Sequence, residues 1–359
     1  MQHSVRTFLW LLGAFVLLGL TGSAVLFFAD RYRHYSFTID HQLPITQVRH
    51  QGQTRLCWDY SGTAFIEAEL LRMGKPRLDL SEMFTAYHGY SQRAFAAIQN
   101  PAAVTFNPGG CIGDFMHCID QFGILPDSEM PAPPDSPNHM ELSRQILQLS
   151  QQGSRDAILH SLDSAIGILP LSFRHSDSLF TPSSFRHHLG ISARNYLQLT
   201  SFTSAPFYKF MVIECPDNWR RDSALNLPLD RLTEVVDSAL ANGFPVVWEA
   251  DISSYNFSRH AQQGFITIPF TPHRRVSAFE RQWAWNHHLT TDDHVMLLFG
   301  SARDQHGHPY YMVKNCWGSS GPYHGILFVS KAYFRYKTVN ILLHRDAIPL
   351  HISKTIQIP

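Results

Sequence analysis

The chain carries little charge and no excess of either sign: 29 Lys and Arg balance 29 Asp and Glu in 359 residues. Without a basic surplus it lacks the electrostatic footprint of a nucleic-acid surface, so no nucleic acid is expected among its partners. Cysteine is sparse too. The five thiols are Cys57, Cys111, Cys118, Cys215 and Cys316, and an odd number leaves at least one unpaired in any redox compartment. No two have C-x-x-C spacing, and no His-Glu-x-x-His segment sets two ligands on one helical face. Neither a metal nor another cofactor is therefore expected. No internal repeat is visible. What the chain does have is length for one large domain or two lobes with a sizeable core. Its 13% aromatic content and 21 histidines fit a folded, binding-rich globule rather than a disordered chain.

One long uncharged run stands near the N-terminus, at residues 8–28. At about 1.5 Å rise per residue it is long enough to cross a hydrocarbon core of about 30 Å. Arg6 precedes it, and Asp30, Arg31 and Arg33 follow. Residues 1–30 read either as a retained signal-anchor or as a cleaved signal peptide. Gly22-Ser23-Ala24 offers a small-residue cleavage site, but the apolar run continues past it. No Cys follows, so a lipoprotein anchor is not expected. Both readings place residues 31–359 outside the cytoplasm: membrane-anchored through the apolar segment, or secreted or periplasmic. Positive residues on both flanks leave the orientation unset.

Residues 31–49 read as an extended lead-in. Ser61 to Met73 has helical periodicity, with an apolar stripe of Ala64, Phe65, Ala68 and Leu71 and with Glu67 and Glu69 free to face away. That helix starts at or near Cys57, where the unpaired N–H groups and the positive end of the helix dipole favour a thiolate. Ser81 is an N-cap for a second helix. Asn107-Pro-Gly-Gly110 is a tight turn, and Ile112 to Phe122 a third helix with Gly123 as its C-cap. Five prolines between Pro126 and Pro137 mark a loop, and Glu141 to Ile166 supplies one or two peripheral helices. Pro182-Ser-Ser-Phe185 opens a short helix. Pro228 sits in the first turn of another, whose stripe runs from Leu229 to Leu240, and 245–251 is a strand. The last third is strand-rich: 293–301, 310–315, 325–330 and 338–344. Helices followed by strands indicate an α+β fold of two lobes.

Three residues far apart in the chain form a complete nucleophilic set. Cys57 is the nucleophile, and His294, at the head of an apolar strand, takes its proton. Asn315, in Lys-Asn-Cys-Trp-Gly, fixes the imidazole tautomer. Trp317 covers the His–Asn bond. Gln51 aims its side-chain amide at the oxyanion that develops beside the Cys57 N–H, a contribution of about 3 kcal/mol. Singly, each residue has a plainer reading: a buried structural Cys, a satisfied core His, a turn Asn.

These motifs resemble, in order, those of the papain-like cysteine peptidases. Gln51-Gly-Gln-Thr-Arg-Leu-Cys57-Trp58 resembles the family's Gln-Gly-x-x-x-x-Cys-Trp segment. Asp293-His294-Val and Asn315-Cys-Trp317-Gly318 are similar to its His and Asn-Ser-Trp-Gly segments, and Tyr323-His-Gly325-Ile-Leu-Phe resembles the strand after them. The span from Cys57 to His294, 237 positions, exceeds the roughly 130–150 of papain-like cathepsins. Leu78 to Met83, Gly109-Gly110 through Pro126, and Ala241 to Trp248 resemble segments of bleomycin hydrolase and aminopeptidase C.

The resemblance implies a papain-like two-lobe fold over residues 31–359, with a helical left lobe and an antiparallel β-barrel-like right lobe. A helical insert falls at about 127–200. It implies hydrolysis of peptide substrates through an acyl-enzyme, by an aminopeptidase or an endopeptidase. Gly109 and Gly110, which alone read only as a turn, would line the substrate groove and offer backbone hydrogen bonds.

The chain also departs from the family. Thr54 stands where secreted relatives carry a disulfide Cys, which leaves Cys111 without that partner. Cys316 replaces a Ser. Asp59 replaces an apolar residue and either raises the Cys57 pKa or faces solvent. Two rivals remain: a papain-like fold that only binds, and a metal hydrolase built on the crowded His287, His288, Asp292, Asp293 and His294, with His306 and His308.

Overall fold

The computed structural model describes residues 35–101, 104, 106–133, 138–253, 262–268, 271 and 273–356. The N-terminal apolar run lies outside them. Among the described residues no helix is long and apolar enough to cross a membrane.

The central element is helix α1, Cys57–Arg72. Every residue from Trp58 to Leu70 is buried, Glu67 and Glu69 included. An amphipathic surface helix was the expectation; α1 is instead enclosed on all sides. Its two carboxylates are buried because each has partners. Glu67 accepts from the Leu80 N–H at 2.9 Å and from the Thr46 hydroxyl. Glu69 takes a two-pronged contact from Arg72 at 2.7 and 2.8 Å, a geometry that suits guanidinium and carboxylate.

Helices α2 (Glu82–Gln99) and α3 (Ile112–Phe122) pack around α1. Ser81 caps α2 by accepting from the Phe84 N–H at 3.1 Å, as its sequence position suggests. At Gly62 of α1 an added Cβ would lie 2.4 Å from the Phe115 ring, so the missing side chain sets the α1–α3 approach. Gly123 ends α3 with φ 94°, and a Cβ there would meet the Pro182 backbone at 2.2 Å. It meets both needs that only glycine serves, left-handed backbone and close approach.

Residues 127–200 hold α4 (His139–Gln151), α5 (Arg155–Ala165), the hairpin β2 (Phe173–His175) and β3 (Ser178–Phe180), and α6 (Pro182–Leu189). β4 (Tyr196–Thr200) then enters the main sheet. The remaining elements are β5 (Phe210–Val212), β6 (Ser223–Asn226), α7 (Leu229–Ala241), β7 (Val246–Ala250), β8 (Phe265–Ile266), α8 (Ala278–Asn286), β9 (His294–Asp304), β10 (Pro309–Lys314), β11 (Ile326–Ser330), α9 (Lys331–Lys337), β12 (Thr338–His344) and α10 (Leu350–Ser353). Pro228 stands at the N-cap of α7, one position ahead of the expected first turn. β1 (Phe37–Gln42), from the extended lead-in, pairs antiparallel with the far half of β9.

Among the described residues the sheet has ten strands in the order β5-β6-β4-β12-β7-β9-β10-β11-β8, with β1 added on β9. A barrel-like right lobe was expected. Among the described residues the sheet's hydrogen bonding is open, with β5 and β8 at opposite ends of the path. Its central strands are buried on both faces. Val247, Val295, Leu297 and Leu342 join the core shared with the helices. Their alternates Val246, Trp248, Met296, Leu298, Ile341 and Leu343 join a second core under α7 and α9. Period-two alternation thus separates two apolar cores, which is why these strands read as continuous hydrophobic runs.

Candidate active site

Two packing decisions bring the sequence motifs together. The first docks α1 on β9: Ser61 Oγ donates to the Val295 carbonyl at 2.6 Å. This sets the helix that begins with Cys57 beside the strand that begins with His294. The second fastens the segment before α1 to the turn after β10. Gln51 N–H donates to the Cys316 carbonyl at 2.9 Å, and Gly318 N–H to the Arg49 carbonyl at 3.0 Å. Between Gln51 and Cys57, Thr54 braces the chain through its hydroxyl, which donates to the Gln51 carbonyl at 2.7 Å and accepts from Leu56 N–H at 3.3 Å.

Trp58 ties the glycine turn to the same place. Its indole N–H donates to the Pro108 carbonyl at 3.0 Å, and a Cβ on Gly110 would approach the indole to 3.0 Å. The result is one cleft of about 570 Å³ lined by Gln51, Cys57, Gly109, Gly110, His294 and Trp317. Asn315 lies behind His294. The imidazole Nε2 is 2.8 Å from Asn315 Oδ1, and the same oxygen accepts the Cys316 N–H at 2.8 Å. A backbone N–H can only donate, so the atom it meets is the carboxamide oxygen. Since that oxygen only accepts, Nε2 carries the proton and Nδ1 keeps a lone pair. The Trp317 ring sits over the imidazole, centroids 5.1 Å apart and tilted 34°.

Burial dominates the protonation of the site. It pushes the Cys57 thiol up to about 12; Asp292 and Asp217 add to the rise, and the Val295 and Trp58 backbone N–H groups oppose it. Burial also lowers His294 to about 4, against the Asn315 hydrogen bond. Burial thus disfavours both charged forms, thiolate and imidazolium. Loss of solvation opposes the helix dipole, which favours a thiolate. Asp59 is buried rather than solvent-facing. Its own pKa is raised by burial, and the carboxylates that bear on Cys57 are Asp292 and Asp217 instead. Gln51 Oε1 accepts from the Cys316 thiol at 3.2 Å, which turns the amide NH₂ the other way.

Asp217 and Asp292 in the cleft wall escaped the sequence reading as site residues. Asp217 lies outside any helix or strand and has no periodicity to mark it. Asp292 was visible only as a member of the crowded metal-ligand set, which does not converge. His287 and His288 are exposed at the end of α8, and His294 is committed to Asn315. Among the described residues, the groups close enough to share an ion are Cys111 with Cys215 and Asp292, and His273 with Asp304 and His308.

The profile of the Peptidase C1-like family matches residues 172–358. That span includes His294 and Asn315, while Gln51 and Cys57 precede it. No curated protein matches the chain. PepW from Lactobacillus rhamnosis HN001 superposes with a TM-score of 0.70 at 17% identity, over 89% of this chain and 84% of its own; the two share a fold. Xylellain, a cysteine protease from Xylella fastidiosa, gives a TM-score of 0.45 at 14% identity over 86% of each chain.

Proposed function

The chain belongs to the papain-like Peptidase C1-like family, and from that premise we propose that it is a cysteine-type peptidase in which Cys57, His294 and Asn315 act as one unit. The observation that carries this reading is the His294 Nε2–Asn315 Oδ1 bond at 2.8 Å behind a cleft that Cys57 and His294 share. It leaves Nδ1 as a base in one defined tautomer.

In the proposed reaction the Cys57 thiol gives its proton to His294 Nδ1 as the sulfur attacks a peptide carbonyl. The Gln51 NH₂ and the Cys57 N–H, which lies outside the intrahelical ladder at the first helical position, hold the oxyanion. His294 then protonates the leaving amine, and water hydrolyses the thioester. Burial that disfavours both charged forms suits this order of events, in which charge separates as substrate arrives. Gly109 and Gly110 offer the groove backbone for an extended peptide, with Trp317 as a lid on the His–Asn bond.

The spacing of Cys57 and His294 supports placement near bleomycin hydrolase and aminopeptidase C, and with it removal of N-terminal residues as one mode of cleavage. The apolar run at residues 8–28 supports a membrane-tethered or exported enzyme. A mixed peptide library incubated with the full chain tests activity and mode together. Mass spectrometry should show products from the wild type and none from Cys57→Ala. Equal product yields from the two would overturn the proposal.

A further inference from the structure

Two thiols and a carboxylate meet behind the cleft wall, and the proposed peptide chemistry uses none of them. Cys215 Sγ lies 3.2 Å and Cys111 Sγ 3.5 Å from the same oxygen, Asp292 Oδ2. All three ligand atoms fall within 4.8 Å of one another. Cys111 is buried at the N-cap of α3, and Cys215 and Asp292 are half-buried.

The carboxylate is poorly served. Among the described residues its hydrogen-bond donors are these two thiols, which are weak donors, and no Lys, Arg or His forms an ion pair with it. Buried Glu249, which accepts the N–H of Ile112 next to Cys111, adds a second carboxyl close by. A partly enclosed set of two sulfurs and an oxygen, short of positive charge, is the environment a thiophilic dication satisfies.

We propose that Cys111, Cys215 and Asp292 bind one divalent transition-metal ion of the zinc class beside the substrate cleft. The distances fit. With metal–sulfur bonds of about 2.3 Å and a metal–oxygen bond of about 2.1 Å, a tetrahedral ion sets sulfur and oxygen about 3.6 Å apart. Three protein ligands leave a fourth position for water on the cleft side, where Asp292 is part of the wall. Binding breaks two S–H bonds, forms two metal–sulfur bonds and releases both protons to solvent, with no change of oxidation state.

The other close cluster lacks this deficit. Asp304 accepts the His306 and His308 backbone N–H groups at 2.9 Å each on Oδ1. His273 and His308 face its Oδ2 at 3.3 and 3.1 Å. That carboxylate is already satisfied by nitrogen donors.

The experiment uses the full chain carrying Cys57→Ala, so the cleft thiol cannot bind the ion and the result does not depend on peptidase activity. Reduced, chelator-stripped protein is titrated with Co²⁺. The expected result is one ion per chain, a thiolate-to-cobalt charge-transfer band, and release of about two protons per ion. Adding Cys111→Ser and Cys215→Ser together should abolish the band. Asp292→Asn should weaken binding at least about tenfold, and Cys118→Ser should change nothing. Circular dichroism separates loss of the ion from loss of the fold; if the double variant unfolds, Asp292→Asn and the proton count decide alone. A band that survives in a folded double variant would overturn the proposal. So would failure of the Cys57→Ala chain to retain Co²⁺, or a Cys111–Cys215 disulfide found by thiol counting before reduction.

Discussion

Replacing Asn315 with Ala probes the feature on which the proposed chemistry turns. Asn315 Oδ1 accepts two hydrogen bonds, from His294 Nε2 and from the Cys316 N–H, both at 2.8 Å. His294 is almost fully buried, so removing the acceptor strands the Nε2 proton in a dry site at a cost of about 1–3 kcal/mol. The imidazole escapes that cost by moving its proton to Nδ1, and that tautomer cannot accept the Cys57 proton. The competent tautomer should become minor by roughly the same energy, which corresponds to about a 5–150-fold fall in turnover. The fall should appear in kcat with little change in KM, since Asn315 lies behind the imidazole and not in the cleft. Steady-state kinetics on a peptide chosen from the library products, with thermal unfolding of the same samples, measures both. Wild-type kcat in a folded Asn315→Ala variant would refute the tautomer argument.

Three further outcomes follow from other contacts. Glu67 is linked through the Thr46 hydroxyl to buried Lys314, whose Nζ donates to Thr46 Oγ1 at 2.8 Å. Glu67→Ala should lower stability by about 3–5 kcal/mol in urea unfolding, and Glu67→Leu with Lys314→Met should recover most of it. A Cβ on Gly109 would lie 2.3 Å from Asp217 Oδ2 and would disturb the Asn107–Asp217 hydrogen bond of 2.9 Å. Gly109→Ala should raise KM about fivefold, the worth of one hydrogen bond, with kcat nearly unchanged in the same assay. Burial lowers His139 from 6.5 to about 4, so the folded state binds fewer protons than the unfolded one. Its contribution is complete above about pH 6.5 and is lost as pH falls towards about 4, up to roughly 3 kcal/mol. Urea unfolding across that window should show a shallower loss for His139→Phe than for wild type.

Much of this architecture was legible in the chain because local chemistry and packing agree. Ser81 opens its helix through its hydroxyl and Gly123 closes its own through the lack of a side chain, and the strand from Thr338 to His344 has the limits its apolar run suggests. The errors fall where tertiary contacts override local pattern. Glu67 and Glu69 look like the wet face of a helix, but Thr46, Leu80 and Arg72 take them into the core. Asp59 looks like a solvent-facing side chain and is buried instead. The short strands β5, β6 and β8 carry two to four residues each, too few to show a period, and they exist because longer neighbours offer them an edge. Motif order was enough to nominate Cys57 and His294, which line one cleft, and Asn315 behind the imidazole. Asp217 and Asp292 could not be nominated that way, because their proximity to Cys57 depends on loops that no periodicity describes.

The most direct test of the central claim is mass-spectrometric mapping of the full chain after brief exposure to a peptidyl epoxide that alkylates thiols. The adduct should form on Cys57 alone among the five cysteines, and His294→Ala should slow it severely, because His294 is the only imidazole among the described residues lining the cleft. Labelling spread over Cys215 and Cys57 alike, or an unchanged rate in His294→Ala, would contradict a nucleophile activated by that imidazole.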